Sequence, residues 1–499
     1  MTALQAHLPA LQVVVPMLSA PLAMLLREHR LSWTLATAAS LCAFAIAIAL
    51  TLSVFDTGGM RYLMGSWEAP FGIELGVDAM SALLLLVVTG SSSLALIAGA
   101  ASLEREIEVE RQPLFYAAWL LALAGLCGIL VTADAFNIFV FMEISALASY
   151  VLVAGGPDRR ALPAVFKYLV MGTIGATFYL IGVGLIYLMT GTLNLDDIVY
   201  RIDQVSKLNP ILIAAGFITV GLALKAAIFP LHVWLPNAYT FAPHVVTVFL
   251  AACSTKVSLY VLLRFNFVVF QPHLDGHDLQ FATFLLPLSL LAILVGSAVA
   301  MFESNLKRML AWSSVAQIGY ITLGASLVSV AGLTASLLHI FNHALAKAAL
   351  FLALACLAVS VSKLRIENIG GIAKRMPWTL AAFVLAGLSL IGVPGTAGFI
   401  SKWYLITATF KSGSLGVLLV AVIVVSSLMA VVYIWRVVES AYFREAAEEQ
   451  QGQPAREAPL MLLLPTWAAV LLNFYFGLFP GVPLELSSSA ANLLLGQMP

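Results

Sequence analysis

The sequence predicts an all-α polytopic membrane protein of about fourteen transmembrane helices. Three observations lead there. Apolar residues fill 61% of the 499 positions and charged residues only 10%, against about 25% charged in ordinary soluble chains. Mean hydropathy is +0.99. Apolar runs of the roughly 20 residues that a spanning helix needs follow one another, with no gap large enough for a soluble domain. Residues 1–499 therefore read as a single membrane domain.

The first run, 8–26, has no basic segment before it and is followed by Arg27 and Arg30. A cleaved signal peptide has the opposite order, so this run is expected to be retained as the first span. Further spans are expected near 31–54, 77–100, 114–131, 134–154, 163–190, 210–229, 245–270, 280–301, 308–330, 333–360, 377–410, 415–436 and 459–482. Two of these are not simple. After Phe229 the chain reads PLHVWLPNAYTFAPH, with three prolines before the next span. The run 377–410 is too long for one straight span and is interrupted by GVPGTAG at Gly392–Gly398. Broken helices at membrane depth need protein or a wet cavity around them.

Basic residues in the loops set orientation. With the N-terminus outside, fifteen fall inside: Arg27, Arg30, Arg105, Arg111, Arg159, Arg160, Lys307, Arg308, Lys363, Arg365, Lys374, Arg375, Arg436, Arg444 and Arg456. Five fall outside: Arg61, Arg201, Lys207, Arg264 and Lys411. Fourteen spans then place both termini outside. Glu445–Glu457 reads as a solvated inner linker. Formal net charge is zero, so no nucleic acid or other polyanionic partner is implied. The four cysteines, Cys42, Cys127, Cys253 and Cys356, lie in apolar runs without redox or metal spacing, and read as small hydrophobes.

Five lysines are left inside apolar segments: Lys167, Lys225, Lys256, Lys347 and Lys402. Glu143 sits mid-span in FNIFVFMEISALASYVLVAG. Lys167, near an end, is expected to snorkel. The four deep lysines and Glu143 would together cost about 12–17 kcal/mol if lipid-facing and unpaired, above a typical folding stability of about 5–15 kcal/mol. They must face one another, water or polar side chains. In LTASLLHIFNHALAKAALF, His339, His343 and Lys347 recur every four residues and share one helix stripe. In AWSSVAQIGYITLG, Ser313, Gln317 and Tyr320 share a face. Any one buried lysine also reads as a structural ion pair, and His339 alone as a satisfied core histidine. Arg264 reads as an outer anchor, Asp134 as a helix cap and Glu303 as a surface group. The set, spread over five helices, reads as a proton path. Desolvation favours a neutral lysine and a nearby carboxylate favours a charged one, while histidine relays near neutrality. No Walker motif, dinucleotide fingerprint, CxxC or HExxH occurs, so no cofactor or metal of its own is expected.

The segments FNIFVFMEISALASYVLVAG, GLALKAAIFPLHVWLPNAY, NLKRMLAWSSVAQIGYITLG, LLHIFNHALAKAALFL and GVPGTAGFISKWYLI resemble the antiporter-like membrane subunits shared by Mrp cation/proton antiporters, respiratory complex I and membrane-bound hydrogenases. The resemblance covers about residues 75–440. It implies helices 1–3 at about 8–100, two inverted five-helix repeats at about 114–270 and 280–436, and a final helix at about 459–482. It implies broken helices 7 and 12, matching Pro230 and Gly392–Gly398. It implies a relay of Glu143 paired with Lys225, then Lys256, the His339/His343/Lys347 stripe and Lys402. Uptake would run through a half-channel at the first break and release through the second. The lysine at 402 resembles the D-type branch of the Mrp subunits, as does a chain that stops at Pro499 without a lateral helix. The implied function is the proton-translocating subunit of an Mrp-type Na+/H+ antiporter. The alternative is a proton-pumping subunit of a complex I-like oxidoreductase or hydrogenase. Either way the expected setting is the cell inner membrane, with partner subunits, protons and Na+ as the species met and no redox catalysis by this chain. A scaffold holding static ion pairs is the competing reading of a different class.

Overall fold

The computed structural model describes residues 3–274, 281–411, 413–445 and 456–497. Most of the expected polar linker Glu445–Glu457 lies outside the described residues. The chain folds into helices α1 (Leu8–Leu25), α2 (His29–Thr57), α3 (Ala79–Ser102), α4 (Gln112–Val131), α5 (Ala135–Ala154), α6 (Ala161–Thr190), α7 (Asn209–Lys225), α8 (Leu235–Phe241) and α9 (His244–Arg264). There follow α10 (Phe281–Phe302), α11 (Leu306–Ser326), α12 (Val330–Ala358), α13 (Pro377–Ile391), α14 (Ala397–Phe410), α15 (Ser414–Phe443), α16 (Leu460–Leu478) and α17 (Gly481–Leu494).

Eleven helices among the described residues are long and apolar enough to cross a membrane, rather than the fourteen expected. The other three expected spans fall on α7, on α11 and on the α13–α14 pair. α7 stops at Lys225, and α13 stops at Ile391. α11 has normal length but carries Lys307, Arg308, Ser313, Ser314, Gln317, Thr322 and Ser326, which dilute its hydropathy although it is almost wholly buried. The all-α expectation also misses a two-stranded antiparallel ribbon, β1 (Met60–Leu63) with β2 (Glu74–Val77), Met60 opposite Val77.

The centre of the bundle is α3, α4, α9 and α12, whose side chains are buried nearly all round. Such helices show no amphipathic stripe, because no face meets solvent. α15 and much of α6 instead present Leu, Ile, Val and Phe outward, as lipid-facing helices do. Helix starts are capped as the side chains dictate. Asp78 accepts from the Ser81 amide (2.9 Å), Asp134 from the Asn137 amide (2.7 Å) and Asn305 from the Arg308 amide (3.0 Å). Asp134 is thus the cap that its position suggested. Arg264 departs from expectation. It is no outer anchor, because it donates to Asp78 at 2.6 Å in a pair whose side chains are 15% and 18% exposed. That pair joins α9 to the start of α3.

Candidate functional site

The break after α7 is where the first half of the site is built. Helices α6 and α7 approach closely through Gly175 and Gly221. A Cβ at Gly221 would sit 2.5 Å from the Gly175 carbonyl oxygen, so only glycine allows the contact. This close approach brings Lys225, the last residue of α7, against α5. Lys225 Nζ donates to Glu143 Oε1 at 3.3 Å. The lysine side chain is 8% exposed and the glutamate 27%. Trp234 splints the break by donating from Nε1 to the Leu224 carbonyl at 3.0 Å. Its ring stacks on Tyr168 at 4.2 Å. Beside Lys225 lies a cavity of about 30 Å³ lined in part by Ser145, Ser149, Tyr168, Ser254 and Ser258. Its volume suits a single water. His232, in the same break, stacks on Phe229 at 5.1 Å and meets Trp312 of α11 edge-on at 5.1 Å.

Lys256 stands two residues from both Ser254 and Ser258, so at about 100° per residue it projects from the other side of α9. It is fully buried and its ammonium donates to the Ala251 carbonyl. No protein hydrogen bond joins Lys256 to Lys225 or to His343 among the described residues. Lys256 does lie close enough to His343 and Lys347 for their charges to interact.

The second half is contiguous. Lys347 Nζ donates to the Leu310 carbonyl at 2.6 Å and to Ser313 Oγ at 2.5 Å. The His339 and His343 rings stack at 6.1 Å, as their four-residue spacing on α12 requires. His339 Nδ1 is hydrogen-bonded with Ser401 Oγ and its Nε2 with Gln317 Oε1, each at 2.8 Å. Neither ring nitrogen of His343, a buried residue, has a protein partner among the described residues. Lys402 donates to the Leu390 carbonyl (3.0 Å), the Ile391 carbonyl (2.8 Å) and Ser427 Oγ (3.0 Å). Leu390 and Ile391 close α13, where carbonyls lose their intrahelical partners and the helix dipole is negative. The helix break therefore supplies the acceptors that hold the ammonium. Gly392 turns the chain away at φ +92°, and a Cβ there would lie 2.9 Å from Lys402 Cδ. Tyr320 joins the two groups, with its ring 5.6 Å from His339 and 5.1 Å below Lys402 Nζ.

Six of the seven expected residues thus fall into two groups, Glu143–Lys225 and His343–His339–Lys402 with Lys347, and Lys256, buried on the other side of α9 from the Lys225 cavity, joins neither by a direct hydrogen bond. Lys167 is exposed, and Glu303 pairs with Arg308 at 3.3 Å. The structure adds Ser401, which meets His339, and Ser427, which meets Lys402. Ser401 and Ser427 carry no sequence signal beyond polarity in an apolar run. No group of three His, Cys, Asp or Glu able to hold a metal occurs among the described residues.

The chain is similar along nearly its whole length to several known proteins. The N subunit of the NADH-quinone oxidoreductase of Desulforudis audaxviator is 40% identical over 95% of this chain and 96% of its own. The D subunit of the Na(+)/H(+) antiporter of Bacillus subtilis is 28% identical over 94% of this chain and 93% of its own. Among solved structures, a chain of the membrane-bound sulfane sulfur reductase, an archaeal respiratory membrane complex, superposes with a TM-score of 0.89. That chain is 30% identical, covering 98% of this chain and 97% of itself. A chain of the Mrp complex of Dietzia sp. gives 0.88 at 28% identity, covering 99% and 98%. A family profile described as "NADH:quinone oxidoreductase/Mrp antiporter, TM" matches residues 132–430, which span both groups of the site. The chain is an integral multi-pass membrane protein and belongs to the NADH:quinone oxidoreductase/Mrp antiporter transmembrane family.

Proposed function

We propose that this chain is the proton-translocating subunit of a multi-subunit membrane complex and moves protons along Glu143, Lys225, Lys256, Lys347, His343, His339 and Lys402. The observation that carries the reading is the contiguous basic half. His343, His339 and Lys402 follow one another through ring stacking, Ser401 and the Tyr320 ring, and among the described residues no carboxylate is a hydrogen-bond or ion-pair partner of theirs. Among the described residues the six buried basic side chains of the row, Lys225, Lys256, Lys347, His343, His339 and Lys402, have one carboxylate as an ion-pair partner, Glu143. Charges that are desolvated and unpaired are too costly to hold all at once, so this row has more proton sites than protons. A relay needs that vacancy, and a static ion-pair scaffold does not. The cavity beside Lys225 and the unpartnered nitrogens of His343 support water between the stations, since buried polar atoms of this kind are served by water.

In this reading α4–α9 and α10–α15 are two five-span repeats, inverted because five is odd, within one fourteen-span domain with both termini outside. Each repeat breaks beside a station lysine, after Lys225 and before Lys402. Protons are taken up at the first break and released at the second. Glu143 sets the charge of Lys225, and partner subunits supply the driving reaction or the coupled cation path.

Two hosts fit. Lys402 supports an Mrp-type Na+/H+ antiporter. The 40% identity to the N subunit of an oxidoreductase supports a redox-driven complex and is the stronger of the two. Purifying the complex through a tag on this chain and identifying its companions decides between them: redox subunits for one, other antiporter subunits for the other. For the relay, Lys225→Ala is expected to abolish proton flux in everted vesicles while the complex still assembles. Wild-type flux in an assembled Lys225→Ala complex overturns it.

A further inference from the structure

Lys307 reads from sequence as a loop charge, yet its side chain is buried at 6% exposure and its Nζ donates to the Ala242 carbonyl at 2.6 Å. Among the described residues it makes no ion pair. Three stations of the row have this same environment: Lys256 on the Ala251 carbonyl, Lys347 on the Leu310 carbonyl, and Lys402 on the Leu390 and Ile391 carbonyls. An ammonium in such a setting is costly to keep, and a purely structural role is as well served by a neutral donor. Lys307 also stands on the helix that serves the row. Along α11, Lys307, Leu310, Ser313 or Ser314, Gln317 and Tyr320 recur at helical spacing. They form a stripe whose later members contact Lys347, His339 and Lys402 in turn. Lys307 lies about 5 Å along the axis from Leu310, whose carbonyl holds Lys347.

At its other side Lys307 meets the end of the bundle. Glu106, half-buried in the α3–α4 connection, accepts from Ser102 Oγ at 2.6 Å and from the His244 amide at 2.8 Å. Lys307 holds the Ala242 carbonyl and Glu106 the His244 amide, two residues apart in the α8–α9 connection, so the two charges face the same short turn, and no ion pair joins them among the described residues. The carboxylate therefore sits at the N-terminus of α9, where the helix favours negative charge, between the loop surface and the buried lysine.

We propose that Lys307 and Glu106 form a further proton-exchanging station that opens the row to the membrane face carrying the α3–α4 and α8–α9 connections. The transfer is a single proton. It leaves the Lys307 ammonium, which becomes a neutral amine, and ends on the Glu106 carboxylate, which becomes the neutral acid, so net charge is conserved. The reverse step loads the lysine. This station rests on the relay reading above.

The test uses the whole complex in everted vesicles, with Lys307→Met, Lys307→Arg, Glu106→Gln and Lys225→Ala compared at equal assembled amounts. Arginine keeps the positive charge and can still donate to the Ala242 carbonyl, but it does not release a proton. Lys307→Arg is therefore expected to lose flux at least tenfold, as Lys307→Met does, and Glu106→Gln is expected to fall similarly. Wild-type flux in Lys307→Arg reduces the lysine to a structural clamp and overturns the station, as does wild-type flux in Lys307→Met or Glu106→Gln. If the Lys307 variants fail to assemble, Glu106→Gln decides alone by the same criterion. Loss in Lys225→Ala with full flux in Lys307→Arg sinks the station and leaves the relay standing. Full flux in Lys225→Ala sinks the relay itself.

Discussion

At the scale of single residues, the partner a buried charge finds decides what it can do. Lys256, Lys347 and Lys402 rest on backbone carbonyls, which stabilise an ammonium without neutralising it. Arg264 rests on Asp78 at 2.6 Å, and Asp78 also holds the Ser81 amide at 2.9 Å. Arginine does not release a proton in proteins, so this pair is structural. Arg264→Leu leaves a buried carboxylate unpaired and is expected to cost about 3–5 kcal/mol, seen as a lower apparent melting temperature of the detergent-extracted protein. Adding Asp78→Asn removes the stranded charge and keeps a capping side chain, so the double variant should regain more than half of the loss. A double variant no more stable than Arg264→Leu would show that the ion pair is not what the site depends on. Glu143, Lys225, Lys256, Lys347 and Lys402 were legible because a charge inside an apolar run stands out by itself. Lys307 and Arg264 were not. Each sits at a span end, and whether an end is covered depends on which neighbours fold over it.

At the scale of elements, the breaks matter more than the helices. The punctuation GVPGTAG announced the second break, but not which of its glycines the packing needs. Gly395 has φ +89° and nothing within 4 Å of where a methyl would stand, whereas a Cβ at Gly398 would lie 1.8 Å from the Ser389 carbonyl oxygen. Gly395→Ala then pays only for its backbone conformation, about 1–2 kcal/mol. Gly398→Ala must push α14 off α13 and take Lys402 away from the carbonyls of Leu390 and Ile391. We expect Gly395→Ala to accumulate and melt slightly early, and Gly398→Ala to give little or no extractable folded protein. Equal yields and melting temperatures for the two would mean that the α13–α14 contact is not tight. The first break was legible from its prolines, but its splint was not, because Trp234 reaches Leu224 only once the chain has turned. The ribbon of β1 and β2 was illegible for another reason: strands of four residues carry too little alternation to register.

At the scale of the whole molecule, one carboxylate serves a row of basic groups, and this asymmetry separates a relay from a scaffold. The sequence disclosed the members of the row but not its grouping. Helical spacing shows that His339, His343 and Lys347 share a stripe, yet only the fold shows that Ser401 and Tyr320 carry that stripe on to Lys402. Nor could spacing show that Ser254 and Ser258 line the Lys225 cavity, which turns Lys256, two residues from each, to the other side of α9. Replacing both members of the Glu143–Lys225 pair tests the asymmetry directly. A buried ion pair exchanged for neutral side chains of similar size is often neutral for stability or better, because two desolvation penalties vanish together. The Glu143→Gln, Lys225→Met double variant should therefore assemble and melt close to wild type. If the pair were a static brace, transport would survive with the fold. If Lys225 is a station whose charge Glu143 sets, the fold survives and proton flux does not. We expect assembly without flux, measured on the same vesicle preparation, and retention of both would favour the brace.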